Sequence, residues 1–186
     1  LVLNVNAWAP IRVSTINVGI MLGFTGPIET LTPAMADAAE LAFKEASAHK
    51  IIVNNGLEGI VINPIRADST CINSSIAVNN AKTLVNQNVV AIMGADCSGV
   101  TKAIAENVAV PNGVVMISPS ATSPGLTTLD DKGYFFRTAP SDARGGQILA
   151  DITKDRKVKS VAITYTNNDY GKGLADVYKA AVEAHG

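Results

Sequence analysis

The run Val89-Val90-Ala91-Ile92-Met93-Gly94-Ala95-Asp96-Cys97-Ser98-Gly99 sets the architecture of the chain. Its first five residues are uniformly apolar. A short strand without alternation fits a parallel sheet covered on both faces. Ser98 follows the strand and opens a helix predicted to reach about Val108. Working back toward the N-terminus, residues 15–22 (TINVGIML) form a β-rich apolar run. It stops at Gly23-Phe24-Thr25-Gly26-Pro27, a loop that neither helix nor strand continues. Thr32-Pro33 reads as an N-cap plus a first-turn proline, opening a helix to about Ala48. Ala38, Leu41 and Ala42 mark its apolar face; Asp37, Glu40 and Lys44 mark the polar one. Residues 60–67 form the next strand and 74–86 the next helix. Beyond the opening run come strands at 114–117 and 134–137, separated by a loop at 118–126. A helix capped by Ser141 or Asp142 then runs to about Asp155, followed by a strand at 160–165 and a helix at 170–184. Regular alternation of this kind predicts an α/β fold built on a doubly wound, mostly parallel sheet.

With 186 residues the chain holds one full α/β domain, or one domain and part of another. Hydrophobic residues at 47% against 17% charged predict a packed core and not a disordered chain. The net charge of −1 comes with no basic patch able to neutralise phosphates, so no nucleic-acid partner is expected. The Lys154-to-Lys159 cluster reads as a solvated loop. No apolar stretch reaches the roughly 18 residues of a membrane span. Residues 1–14 are set apart as an N-terminal extension. Within them Ala7-Trp8-Ala9 has the small-x-small form of an export-signal cleavage site, although a plain N-terminal strand reads equally well. The two cysteines, Cys71 and Cys97, permit one disulfide; two unrelated buried thiols are the other reading.

The catalytic readings fail on specific residues. Gly23-Phe24-Thr25-Gly26-Pro27 is not G-x-G-x-x-G, and Pro27 spoils the close helix approach that a pyrophosphate needs. Gly171-Lys172 has Thr166 where a phosphate loop requires glycine. Asp96-Cys97-Ser98-Gly99 lacks the first glycine of a nucleophile elbow. His49 and His185, the only histidines, fall at predicted helix ends and read as surface residues. No His/Cys/Asp/Glu group has metal-ligand spacing. Neither an enzyme nor a cofactor or metal is expected.

Small hydroxyl residues just past strand ends remain. Ser98 follows one strand, and Ser118-Pro119-Ser120-Ala121-Thr122-Ser123-Pro124 follows another. Ligands of open parallel sheets bind beyond the carboxyl ends of the strands, where a helix N-terminus offers free N–H groups to a carboxylate. Ordinary helix capping and turn formation explain the same residues without a ligand. Five motifs then occur in order: Leu22-Gly23-Phe24-Thr25-Gly26-Pro27, Ile92-Met93-Gly94, residues 117–124 (ISPSATSP), Phe136-Arg137-Thr138-Ala139 and Asp169-Tyr170-Gly171-Lys172-Gly173. Together, from about Thr15 to Gly186, the chain resembles the leucine/isoleucine/valine-binding protein family, a branch of the type I periplasmic solute-binding proteins.

The resemblance implies a two-lobed clamshell of about twice this length that closes on its ligand. Residues 15–138 would form the first lobe and 141–186 the start of the second. It implies non-catalytic capture of a small carboxylate, an amino acid first and an aromatic or other organic acid as the alternative. Delivery would be to the inner-membrane permease of an ABC importer from a periplasmic, extracytoplasmic location. A sensory ligand-binding domain reuses the same fold. Residue by residue, Ser98 matches the serine that binds the ligand carboxylate, and Ser120, Ala121 and Thr122 match the loop that holds the head group. Tyr170 matches the tyrosine that closes over the ligand, and Asp142 lines the cleft in some members. The family's acidic ammonium partner lies beyond Gly186. Cys71 and Cys97 fall where the family carries a disulfide. Leu31 lies in the loop facing the ligand side chain. After Thr138-Ala139-Pro140 only one strand and two helices remain, too few for a stable lobe. The 186 residues are therefore expected to be part of something larger, with Val161, Ile163 and Leu174 exposed.

Overall fold

The computed structural model describes residues 12–48, 50–53 and 56–185. Ala7-Trp8-Ala9 and His49 lie outside the described residues. In chain order the elements are β1 (Arg12–Leu22), α1 (Thr32–Ala48), β2 (Lys50–Val53), β3 (Gly56–Asp68), α2 (Ser74–Asn86), β4 (Val89–Gly94), α3 (Ser98–Ile104), β5 (Val115–Ser118), β6 (Phe135–Arg137), α4 (Asp142–Asp155) and α5 (Asp169–Ala184). Six strands make one sheet in the order β2-β3-β1-β4-β5-β6. Five are parallel, and β2 adds an antiparallel edge on β3 that the sequence reading did not separate from the α1–β3 connection. The doubly wound fold class follows directly. β1 begins at Arg12 and pairs with β3 from its first residue, so residues 12–14 belong to the sheet and not to an extension.

From β1 the chain crosses over α1 to β3 on one side, then over α2 to β4 on the other. Alternation along β1 feeds both faces. Met21 joins Leu84, Ile92, Val100 and Met116 beneath α2 and α3. Ile20 and Leu22 pack under α1 with Ala36, beside Met35, Ala39 and Phe43. Each fully buried Leu or Ile contributes about 1.5–3 kcal/mol of transfer free energy. Gly94 ends β4 with φ +135°, where a Cβ would stand 2.0 Å from the Met21 carbonyl oxygen, so only glycine fits this crossing.

Five expectations change. The buried face of α1 carries Ala36 and not Ala38, Leu41 and Ala42; Leu41 is 57% exposed. Thr32 does not cap that helix. It is its first residue, fully buried, and its hydroxyl donates to the Gly23 carbonyl at 3.0 Å, which fixes the helix rotation from the loop end. The helix expected to reach Val108 is α-helical only to Ile104, then widens into a π-helical turn at Ala105–Ala109. Residues 160–165 form no strand: among the described residues none of their backbone groups pairs with another backbone group, because no described strand lies beside them. Val161 and Ile163 are each 39% exposed, as expected, while Leu174 is half-buried. The α1 side of β4–β6 is also barer than a fully covered sheet. Ile117 and Phe136, in register with Met93, stay exposed because α1 spans only β1 and β3.

Past β6, Ser141 caps α4 by accepting the Ala143 amide. α4 and α5 pack closely at Gly146, where a Cβ would sit 2.7 Å from Val177 Cγ1. Thr153 and Tyr178 hydroxyls meet at 2.8 Å between them. His185, the C-cap of α5, is half-buried with Nε2 2.8 Å from Asp151 Oδ1. α5 reaches the first part of the chain through Gly173, which faces Pro124 and Ser123.

Candidate functional site

Because the chain leaves β1 to opposite sides, the strand order reverses between β1 and β4, and a crevice opens beyond their carboxyl ends. Four consecutive residues, Ala95 to Ser98, tie together the loops around it. The Ala95 carbonyl accepts from the Thr101 and Ser118 hydroxyls at 3.0 and 2.5 Å. The Asp96 carbonyl accepts from the Ser120 hydroxyl at 3.0 Å. The Asp96 carboxylate accepts from the Gly23 amide at 2.7 Å, the Cys97 amide at 2.9 Å and the Ser69 hydroxyl at 3.1 Å. Cys97 is disulfide-bonded to Cys71, their Cα atoms 5.2 Å apart, which is the pairing the resemblance implied. Ser98 Oγ accepts the Ser123 amide at 3.1 Å. The loops after β1, β3 and β5 thus converge on the β4–α3 junction.

The resulting cleft has a volume of about 720 Å³. Its apolar wall is Pro27, Ile28, Leu31, Met35 and Ile72, with the disulfide beside it. Ser98, Gly99 and Ser120 form the opposite side, and the N-terminus of α5 with Tyr170 closes the end. Asn168 caps α5, its side chain accepting the Gly171 amide at 2.9 Å. The lining includes two acids, Asp96 and Asp169, and no lysine or arginine among the described residues. Ser98 is 2% exposed. Its oxygen already accepts one hydrogen bond, which leaves its own proton available to donate. A smaller cavity of about 320 Å³ lies on the other side of Ser98, between α3 and α5, and holds Lys102 and the Lys172–Asp176 ion pair.

Of the residues singled out from sequence, Ser98, Ser120 and Tyr170 share the cleft. Ala121, Thr122 and Asp142 do not line it. Thr122 Oγ1 donates to Asp142 Oδ2 at 2.7 Å, and the Asp142 amide returns a bond to the Thr122 carbonyl at 3.0 Å, so this pair clamps the crossover into α4. Ala121 is fully buried. Its carbonyl accepts from Arg137 Nη1 at 3.2 Å, and Arg137 also reaches the Ser123 carbonyl and Thr127 Oγ1. Burial lowers the Arg137 pKa from its ordinary value, opposed by the nearby Asp142. At the end of β3, burial works to raise the Asp68 carboxyl, but the Thr25 hydroxyl and the amides of Thr70, Thr25 and Phe24 outweigh it and hold it below the usual carboxylate value. The sequence reading missed Asp96 and Arg137. The signal for Asp96 was an acid placed directly between an apolar strand and a helix start. Among the described residues no three His, Cys, Asp or Glu side chains are grouped to hold a metal.

A doubly wound sheet with a concave cleft beyond its carboxyl ends is the arrangement in which open α/β sheets take ligands. A family model described as periplasmic binding protein matches residues 15–186, and the chain belongs to that family. It is 30% identical over 174 residues to the Leu/Ile/Val-binding protein homolog 3 of Brucella melitensis, covering 92% of this chain and 45% of that one. It is similar to the structure of the branched-chain amino acid transporter substrate binding protein LivJ from Streptococcus pneumoniae in complex with isoleucine, with a TM-score of 0.73, 29% identity and coverage of 90% and 47%. An R. palustris solute binding protein in complex with 4-hydroxybenzoate shares the fold, with a TM-score of 0.76 at 20% identity and coverage of 93% and 45%. The chain spans about half the length of these relatives. The family is one of solute binding, and no helix among the described residues is long and apolar enough to cross a membrane.

Proposed function

We propose that this chain supplies the head-group half of a non-catalytic solute-binding site, taking an α-amino acid with an apolar side chain in the periplasm for an ABC importer. Residues 12–138 act as the first lobe, and the segment from 141 begins the second. The observation that carries the reading is the cleft at the carboxyl edge of the sheet, polar at Ser98 and apolar at Ile28, Leu31 and Ile72. The Ser98 proton and the free amides of the first turn of α3 donate to the ligand carboxylate. Ser120 Oγ, whose proton is engaged by the Asp96 carbonyl, keeps lone pairs for the ammonium group. Tyr170, 47% exposed at the start of α5, covers the ligand as the lobes close. Thr122 and Asp142 act through the crossover they clamp. Relatives at about 30% identity named for branched-chain amino acids support an amino acid over an aromatic acid, and so does a lining without a cation.

A thermal-shift screen of the full-length protein against the common amino acids and a set of benzoates tests this. Stabilisation by leucine, isoleucine or valine is expected. Stabilisation by benzoates alone would replace the amino acid with an aromatic acid, and no response to any carboxylate would end the reading.

A further inference from the structure

The cleft carries a buried charge that head-group binding does not use. Asp96 is 4% exposed, lines the cleft and accepts three hydrogen bonds from N–H and O–H donors while donating none, the pattern of an ionised carboxylate. No lysine, arginine or histidine forms an ion pair with it among the described residues. Its compensation therefore comes from backbone and hydroxyl dipoles, and its net charge is left standing. It lies two residues before Ser98, the donor proposed for the ligand carboxylate, and its own carbonyl holds Ser120. Asp169, the other acid of the lining, has its carboxylate beside Gly99, 3.6 Å from where a Cβ on that residue would stand, and adds negative charge from the α5 side.

We infer that Asp96 is a specificity-determining residue: its fixed negative charge disfavours a ligand that brings only a carboxylate and favours one that also brings an ammonium group. The inference rests on the solute-binding reading above. A bare anion entering the cleft meets uncompensated repulsion from Asp96, whereas a zwitterion places a positive charge within the same field. Near a protein surface, with an effective dielectric of about 20, a unit charge several ångströms away alters binding by roughly tenfold or more. Asp96 touches no ligand in this scheme. Its three hydrogen bonds also fix the loops after β1 and β3, so loss of affinity alone would not separate charge from scaffold.

The separating readout is a ratio of two isosteres. In the full-length protein, calorimetry gives Kd for L-leucine and for 4-methylpentanoate, which keeps the side chain and carboxylate but lacks the ammonium group. Both lean on the same loops, so loosened scaffolding weakens both alike. Asp96→Asn is expected to shrink the preference for leucine by about tenfold, and Asp96→Glu, which keeps the charge, to retain it even where both affinities fall. Asp96→Ser, which removes the charge and keeps a small hydroxyl side chain, is expected to shrink the preference in the same direction. A ratio left unchanged by Asp96→Asn overturns the inference. If that variant does not fold, an unchanged ratio in Asp96→Ser overturns it. Wild-type protein that binds neither compound overturns the solute-binding reading and this inference with it.

Discussion

Removing the Cys71–Cys97 bond by the double substitution Cys71→Ala/Cys97→Ala has a cost that follows from the structure. The bond closes a loop with a sequence separation of 26. The chain-entropy relation gives an unfolded-state entropy loss of about 12 cal/mol/K for that length, or about 3.5 kcal/mol at 25 °C. Part of this is returned in the folded state. Thr70 and Cys71 both adopt positive φ, 57° and 66°, in a conformation that costs a non-glycine residue about 1 kcal/mol or more. Without the bond Cys71 relaxes, while the Thr70 amide stays bonded to Asp68 Oδ1 at 2.8 Å, so the net loss should be about 2–3 kcal/mol. Urea unfolding of the full-length protein, wild type against the double variant, reads the difference, provided the slopes agree. A loss below about 0.5 kcal/mol would refute the reasoning, because the entropic and strain contributions do not cancel at these magnitudes.

Two further outcomes are expected. Ser98→Ala should weaken binding of the cognate amino acid by about 1–3 kcal/mol, the usual loss for a hydrogen bond to a charged group; unchanged Kd by calorimetry would remove Ser98 from the site. Asp68, whose folded pKa is depressed, should contribute stability that is fully present above its unfolded value of about 3.9 and lost as pH falls through the lower folded value. The gap in urea midpoint between wild type and Asp68→Asn should therefore be larger at pH 7 than at pH 2–3, and a pH-independent gap would contradict it.

Local patterns in the sequence predicted whatever local chemistry decides. The 74–86 helix matches α2 to the residue, helped by Asn73, whose side chain accepts the Ile76 amide as N-cap. The apolar run at 89–93 is β4 with Gly94 added at its end. Residues 160–165 carry the same β-rich composition, but a strand is a pairing and no described neighbour supplies one. Leu41 shows the limit of periodicity: the rotation of α1 is set by the Thr32 bond to Gly23, which no spacing along the helix reports. Within the site, Ser98 was legible because a serine after a strand and before a helix has few other places to be. Thr122 and Asp142 were not, since their mutual bond spans 20 residues and is a property of the crossover. Asp96 was hidden for the same reason, its donors lying on the loops after β1 and β3 and on the following residue.

The central claim is that the cleft beyond β1 and β4 holds a ligand by its carboxylate at Ser98. A crystal structure of the full-length protein grown with L-leucine tests it most directly. The account predicts a carboxylate oxygen within about 3.2 Å of Ser98 Oγ, the isobutyl group against Ile28, Leu31 and Ile72, and Tyr170 closed over the ligand. Leucine bound with its carboxylate away from α3, or seated outside this cleft, would contradict it.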